Sequence, residues 1–305
     1  MKVVIPDLVS NSYFPAIAAV EMGFFKEEGL DAELELIYPV GKCYEALRDG
    51  KCDFVGGSSH SAPTAFPEWK GVKFLGALAQ NTYWFLIMRA DLKVKRGDVE
   101  AVKGKRIGAA PLIDIGLIEL LKEYGIDPKR DNVQIAPPPM PANPAGVSFG
   151  VNAAKAMEEG KIDGFWANGM GAELAVRRGV GTVVLDARRD PGVPNYTMAS
   201  VVASDRLIET KPGVAAAAVR AIVKAQRLLK ENVELAGTIG RRLYPETEAG
   251  LIATLIRRDL PYYDAAVSSE AVERMIDFSI GAGVLKRRPA YEEVVATQFV
   301  SLWRS

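Results

Sequence analysis

Apolar and polar positions along the chain switch repeatedly between two periods. Val3-Val4-Ile5 is a short apolar run; Ile17, Val20 and Phe24 recur at helical spacing; Ala32, Leu34 and Leu36 then alternate, predicting strand, helix, strand. Pro15 suits the first turn of that helix and Gly29 its end. After Gly41 a short helix ended by Gly50 leads into the strand Asp53-Phe54-Val55 and a turn at Gly56-Gly57-Ser58-Ser59-His60. Further strands are predicted over Val72 to Ala79 and Tyr83 to Met88. From Lys105 the order returns: strand Lys105 to Gly108, helix Ile113 to Tyr124, strand Val133 to Ala136, helix Val151 to Glu159, strand Ile162 to Trp166. Beyond a strand over Tyr196 to Ala203 the pattern is helical, with Val214 to Leu229 and a helix start at Ser268-Ser269-Glu270, and these helices are expected to cover the first unit. Strands alternating with helices imply an α/β fold of mainly parallel sheets with right-handed crossovers.

The repetition extends to wording. Glu45 to Phe54, with Gly50-Lys51-Cys52-Asp53 at its centre, is echoed by Lys155 to Phe165, with Gly160-Lys161-Ile162-Asp163. Phe25 to Asp31 is echoed by Leu121 to Asp127. The spacing of the copies is domain-sized, far above solenoid periods, so two similar α/β units are expected.

A chain of 305 residues, 49% of them hydrophobic, can bury a sizeable core and lies where single cores begin to split. Lys plus Arg (38) equals Asp plus Glu (38), which leaves no charge excess to attract nucleic acid or an anionic membrane. No stretch approaches the roughly 20 apolar residues of a membrane-spanning helix, so membrane insertion is not expected. The N-terminus reads at once as a strand without the features of a secretory signal. Two readings follow: the protein is cytoplasmic with Met1 as the true start, or a secretory signal was removed and a starting Met supplied; the second becomes a periplasmic location under the resemblance given below. Cys43 and Cys52 are the only cysteines, and a helix between them separates their α-carbons by roughly 10 Å or more, beyond the reach of a disulfide. They read as buried thiols ahead of a reactive or metal-binding pair. The prolines Pro137, Pro138, Pro139, Pro141 and Pro144 mark a stiff surface loop or a lid.

Ligands of parallel sheets bind at the carboxyl ends of the strands. That rule selects the loops Ser10-Asn11-Ser12-Tyr13-Phe14 and Gly57-Ser58-Ser59-His60 in the first unit, and Ala109-Ala110-Pro111-Leu112 and Trp166-Ala167-Asn168-Gly169 in the second. Asn81-Thr82-Tyr83-Trp84 and Asn195-Tyr196-Thr197 join them. The candidate binding residues are Asn11, Ser12, Tyr13, Phe14, Ser58, Ser59, His60, Tyr83, Trp84, Pro111, Leu112, Trp166, Asn168 and Tyr196. Hydroxyls, amides and aromatic rings dominate, and none of the six segments holds Arg or Lys. A strongly anionic ligand would call for a guanidinium fork, although a helix N-terminus can hold a single carboxylate. The set matches a flat, neutral or weakly charged organic molecule among the rings. His60, the only histidine, is either a hydrogen-bond partner or general base, or a solvated loop residue. No nucleophile elbow, phosphate loop, dinucleotide fingerprint or metal-ligand cluster is present. No catalytic residue, metal or cofactor is expected.

Tyr13-Phe14-Pro15-Ala16 through Glu21-Met22-Gly23-Phe24-Phe25-Lys26-Glu27-Glu28-Gly29-Leu30-Asp31 resembles the opening of the nitrate/sulfonate/taurine and thiamine-pyrimidine group of ABC-transporter solute-binding proteins. Glu45 to Phe54, Val102 to Gly108, Glu159 to Asp163, Lys211 to Val214 and the tail from Pro261 to Trp303 are similar to the same group, so the likeness covers nearly the whole chain. It implies a two-lobed type II periplasmic-binding-protein fold, each lobe a mainly parallel sheet flanked by helices, with a ligand cleft between the lobes. Residues 1–85 and 200–305 are expected to form lobe 1 and residues 86–199 lobe 2. It also implies a small-molecule ligand, delivery to an ABC permease, and binding at Asn11, Ser12, Tyr13, Ser58, Ser59, His60, Trp84, Leu112, Trp166 and Asn168. Enzymes on the same scaffold keep an alternative open, a lyase, decarboxylase or pyrimidine synthase acting on a small aromatic substrate. Yeast-type pyrimidine synthases are similar around His60, but Gly57 stands about where their lysine would be. Aromatic sulfinate desulfinases are similar around Ser10 to Pro15, but Ser12 takes the place of their catalytic cysteine.

Overall fold

The computed structural model describes residues 1–140 and 148–304; Pro141 and Pro144 of the proline run lie outside the described residues. The elements run β1 (Lys2–Ile5), α1 (Phe14–Glu21), α2 (Phe24–Glu27), β2 (Glu33–Leu36), α3 (Val40–Arg48), β3 (Phe54–Ser58), α4 (Ala62–Ala65), β4 (Val72–Ala79) and β5 (Phe85–Arg89). They continue β6 (Arg106–Ala109), α5 (Asp114–Glu123), β7 (Gln134–Ala136), α6 (Phe149–Glu158), β8 (Gly164–Ala167), α7 (Gly169–Arg177), β9 (Gly181–Asp186) and β10 (Ala199–Ser204). The chain ends in α8 (Asp205–Thr210), α9 (Pro212–Glu231), α10 (Glu234–Leu243), α11 (Glu246–Asp259), α12 (Ser269–Gly281) and α13 (Tyr291–Val294).

Two compact units result, Met1–Asn81 with Asn195–Ser305, and Thr82–Pro194. Residues 82–85 fall in the second unit and 195–199 in the first, a few residues from the boundaries expected at 85 and 199. The Trp84 carbonyl accepts the Ala187 N–H at 2.9 Å, and Met198 accepts the Ser59 N–H at 3.0 Å, which ties each segment to its own unit.

Unit 1 contains a five-stranded sheet in the order β2-β1-β3-β10-β4, with β1 parallel to β2 and β3, and β10 antiparallel to its two neighbours. Unit 2 contains a five-stranded sheet in the order β7-β6-β8-β5-β9, with β6 parallel to β7 and β8, and β5 antiparallel to its two neighbours. In each sheet the carboxyl ends of four strands and the amino end of the fifth therefore share one edge. In unit 1, α9 presents Ala215, Ala218, Ala221 and Ala225 as buried small residues, and the Gln226 amide donates to the carbonyls of Ala77 and Leu78 at 3.0 Å each, sealing the helix onto β4. Among the described residues no helix is long and apolar enough to cross a membrane.

Several boundaries differ from the periodicity. The first helix breaks at Gly23, whose φ of 76° is left-handed, so it becomes α1 and α2. Gly56 and Gly57, read as a turn, lie inside β3. They are glycine for lack of space: a Cβ on Gly56 would sit 3.1 Å from Ile5 Cγ2, and one on Gly57 2.9 Å from the Tyr44 hydroxyl. β5 and β10 start at Phe85 and Ala199, two and three residues later than expected. α7 and β9 were not expected at all. Gly169 and Gly171 depress the helical signal of α7, yet Gly171 is needed, because its Cβ would lie 2.4 Å from the Gly150 carbonyl where α6 and α7 meet.

The repeated wording has a direct structural meaning. Gly50 and Gly160 close α3 and α6 with φ of 69° and 71°, and the next N–H, of Lys51 or Lys161, reaches back to Ala46 or Ala156 at 2.8 and 2.9 Å. The aspartate that follows then grips the neighbouring parallel strand at two points. Asp53 donates its N–H to the Lys2 carbonyl at 3.1 Å, and its carboxylate accepts the Lys2 N–H at 2.8 Å. Asp163 donates to the Arg106 carbonyl at 2.8 Å, and its carboxylate accepts the Arg106 N–H at 3.0 Å. Arg106 also forks onto Asp163, Nε and Nη2 each at 2.9 Å, and this pairing holds the Asp163 carboxyl below the usual carboxylate range. Asp163→Ala should lower the urea unfolding free energy at pH 7 by about 1.5–3 kcal/mol, the range for hydrogen bonds to charged groups. Because the folded carboxyl is the stronger acid, its contribution is complete above the unfolded value near 3.9 and is lost as the pH falls through the folded one. The wild-type and variant curves should thus converge in acid, and a difference unchanged down to pH 2 would refute this role.

Candidate functional site

In unit 1, register brings the candidate loops to one edge: Ala199 stands opposite both Ser58 and Ala79, so the segments 59–61, 80–81 and 195–198 adjoin there. His60 is 2% exposed, which removes the solvated-loop reading. Its Nδ1 shares a hydrogen bond with Thr197 Oγ1 at 2.9 Å, and Ser59 Oγ shares another with the same oxygen at 2.9 Å. Ser59 Oγ also accepts the Met198 N–H at 3.2 Å. The imidazole meets Tyr196 and Phe278 edge-on, each at 5.5 Å, and those two rings stack at 4.0 Å. Ser58 faces inward, its hydroxyl 2.7 Å from that of Ser61 and its carbonyl accepting from Tyr44 at 2.8 Å.

The β1 loop supplies a second group in the same unit. Asn11 Nδ2 donates to Asp259 at the end of α11, and the Tyr263 hydroxyl donates to the Asn11 carbonyl. Since a carboxylate only accepts, this bond turns the amide so that Asn11 Oδ1 points elsewhere. That oxygen and Ser12 Oγ are both buried and make no hydrogen bond among the described residues. Tyr13 and Phe14 are buried at the start of α1, Phe14 with no exposed surface.

In unit 2 the matching edge is defined by Phe85, opposite both Ala167 and Asp186, and by Ala109 opposite Trp166. Tyr83, Trp84 and Trp166 form a run of buried rings with centroids 4.5 Å and 6.1 Å apart in turn. Trp166 Nε1 is buried and makes no hydrogen bond among the described residues. Asn168 caps α7, Oδ1 accepting the Gly171 N–H at 3.3 Å, while Nδ2 reaches Ser148 Oγ at 3.4 Å. Pro111 and Leu112 are half-buried, and Leu112 has a φ of 71°, a costly conformation for a branched residue that functional edges tolerate. Asp114 opens α5 and accepts the Ile115 N–H at 2.9 Å; burial raises its pKa.

Sequence reasoning missed Arg188. It follows β9, the strand absent from the prediction, and lies buried with its guanidinium carbon 5.7 Å from the Tyr83 ring centre. Outside the six candidate segments, Arg188 thus places a guanidinium beside the candidate residue Tyr83. The run Thr182-Val183-Val184-Leu185 between Gly181 and Asp186 was the available signal. Asp259 carried none, since it reaches Asn11 from 248 positions away. The two cysteines are free and buried; burial pushes the Cys52 thiol up to about 12 and raises that of Cys43, so neither is a nucleophile at neutral pH.

Residues 10–235 match the family described as NMT1/THI5 like, and the chain belongs to that family. A relative from Bacillus subtilis (strain 168), YtlA, which carries a binding-protein name, is 26% identical over 257 residues, 81% of this chain and 71% of YtlA. The periplasmic aliphatic sulphonate binding protein SsuA from Escherichia coli has a TM-score of 0.72 at 12% identity, covering 97% of this chain and 91% of SsuA. A Cys-to-Ser variant of DSZB in complex with biphenyl-2-sulfinic acid has a TM-score of 0.67 at 16% identity, covering 98% of this chain and 97% of its own. DSZB is described as a desulfurization enzyme, so the fold is shared by binding proteins and by an enzyme.

Thr197 can donate once and accept twice, and it joins Ser59 to His60. Thr197→Val should cost about 1–3 kcal/mol of unfolding free energy by leaving buried partners unsatisfied. Unchanged stability in urea would show that the network is not formed.

Proposed function

We infer that this protein is the solute-binding component of an ABC importer, taking up a small organic molecule, aromatic or heterocyclic, and handing it to a permease. The observation that carries the reading is the set of buried polar atoms at the carboxyl edges, Asn11 Oδ1, Ser12 Oγ and Trp166 Nε1, without partners among the described residues. Each such atom costs on the order of 1–3 kcal/mol until something bonds to it, so a ligand that supplies a partner at either edge recovers that cost. The neighbouring rings Tyr83, Trp84 and Trp166 favour a flat apolar body. Family membership and the likeness to a periplasmic sulphonate-binding protein support the transport role and a periplasmic location.

The enzymatic alternative draws on the same fold but finds less in the residues. Ser12 stands where a desulfinase would carry cysteine, and the Tyr44 ring occupies the space a side chain on Gly57 would need. His60, the one histidine, is bonded to Thr197.

Thermal-shift screening tests the reading. An aromatic acid or heterocycle at 100 times its Kd should add about 2.7 kcal/mol, raising Tm by several degrees, and Trp84→Ala or Trp166→Ala should weaken binding roughly two- to twelvefold, the 0.5–1.5 kcal/mol of an aromatic pair. If inorganic anions or alkanesulfonates alone raise Tm, the aromatic ligand is refuted. Turnover of the bound compound, abolished in His60→Ala with binding kept, would overturn the transport role.

A further inference from the structure

Two consecutive side chains in the loop after β1 keep polar atoms that are buried and unbonded among the described residues. Asn11 is 3% exposed and Ser12 has no exposed surface, yet neither Asn11 Oδ1 nor Ser12 Oγ has a hydrogen-bond partner there. The two atoms differ in what they can accommodate. A hydroxyl rotates, so Ser12 can donate or accept, whereas an amide offers an oxygen on one side and an NH2 on the other. Which side of Asn11 is left over therefore depends on what holds the amide.

Asn11 is held at two points by the C-terminal part of the chain. Asp259, the last residue of α11, accepts from Asn11 Nδ2, and the Tyr263 hydroxyl donates to the Asn11 backbone carbonyl. Asp259 is 2% exposed and Tyr263 has no exposed surface, so bulk water does not compete for either bond. A carboxylate has no proton to give, and turning the amide over would set oxygen against oxygen. The sense of this bond is thus fixed, with the NH2 committed to Asp259 and the oxygen left as an acceptor. An asparagine at position 259 would bond in either sense and fix nothing. A buried acceptor without a partner costs free energy, and this one lies in a loop at the carboxyl edge of its sheet, where ligands of such folds bind.

We propose that Asp259 is the positioning residue of a donor-reading subsite in unit 1: it fixes Asn11 Oδ1 as an acceptor, so the ligand must present an N–H or O–H to it, with Ser12 Oγ as an adaptable second partner. The inference rests on the ligand-binding reading above and deepens it. Among aromatic and heterocyclic molecules, the subsite selects those with a hydrogen-bond donor in the ring or attached directly to it.

Indole and benzofuran share size and shape but carry an N–H and a ring oxygen at the same position, and titration calorimetry with both tests the subsite on the wild type, Asp259→Asn and Asn11→Ala. The wild type should bind indole at least about fivefold more tightly than benzofuran, the low end of the cost of leaving a buried acceptor unsatisfied. Asp259→Asn still permits a hydrogen bond between residues 11 and 259, so a merely structural tie survives while the amide becomes free to turn. The preference for indole should shrink to within about twofold in that variant, and likewise in Asn11→Ala, which removes the acceptor. Circular dichroism verifies that each variant is folded, and should Asp259→Asn fail to fold, the wild-type ratio and its loss in Asn11→Ala carry the test. A preference undiminished in Asp259→Asn overturns the positioning role of Asp259. Equal binding of the two compounds by the wild type, or a preference that survives Asn11→Ala, overturns the subsite and leaves the aromatic reading standing. If neither compound binds, the subsite falls, and the aromatic reading falls with it only where the thermal-shift screen is empty as well.

Discussion

In each unit, the aspartate that closes a Gly-Lys-x-Asp turn bonds to the first residue of the neighbouring parallel strand, through its carboxylate and through its own backbone. Asp53 does this to Lys2, and Asp163 to Arg106. The bond sits at the amino edge, remote from the candidate loops, yet the opposite edge depends on it. A strand of four or five residues has few ladder bonds to define its register, and a slip of one residue would exchange its two faces. By pinning β3 beside β1 and β8 beside β6, the aspartates hold the register in which Ser58 stands opposite Ala199 and Trp166 opposite Ala109. Asp163 is the more heavily tied of the two, because it also binds the Arg106 guanidinium.

The carboxyl edges carry the opposite tension. Candidate residues such as Ser59, His60, Trp84 and Trp166 are buried, and some of their bonding capacity is spent within the fold while some is not. Unit 1 joins Ser59, Thr197 and His60 by hydrogen bonds beside the Tyr196–Phe278 stack. Beside it, Asp259 orients Asn11 so that one acceptor faces away from its support. Unit 2 relies on rings and a guanidinium instead. Hydroxyls and a carbonyl oxygen in one unit, and indoles and a guanidinium in the other, give the two copies of one scaffold distinct chemistry at their carboxyl edges.

Much of the scaffold was legible in the chain. Val72 to Ala79 came out as β4 with the expected ends, Ser268 caps α12 as its pattern suggested, and Gly29, Gly50, Gly125 and Gly160 all adopt the left-handed conformation their positions required. Two of the differences share a cause: Gly56 and Gly57 read as a turn, and Gly171 hides α7, because glycine in these places answers to a neighbour's bulk and not to local backbone needs. With α7 unseen, β9 passed unnoticed, and Arg188 with it.

What the sequence determined by itself is what depends on neighbours along the chain: helix and strand periods, stops, caps, the internal repeat and the loops at the carboxyl ends. Tertiary structure alone decided which distant side chains meet. Asp259 reaches Asn11, Thr197 reaches His60, and Arg188 reaches Tyr83 across separations of 248, 137 and 105 residues. Hydrogen bonds and ring contacts act over a few ångströms of space, and no local pattern records which distant residue will occupy that space once the sheets have formed.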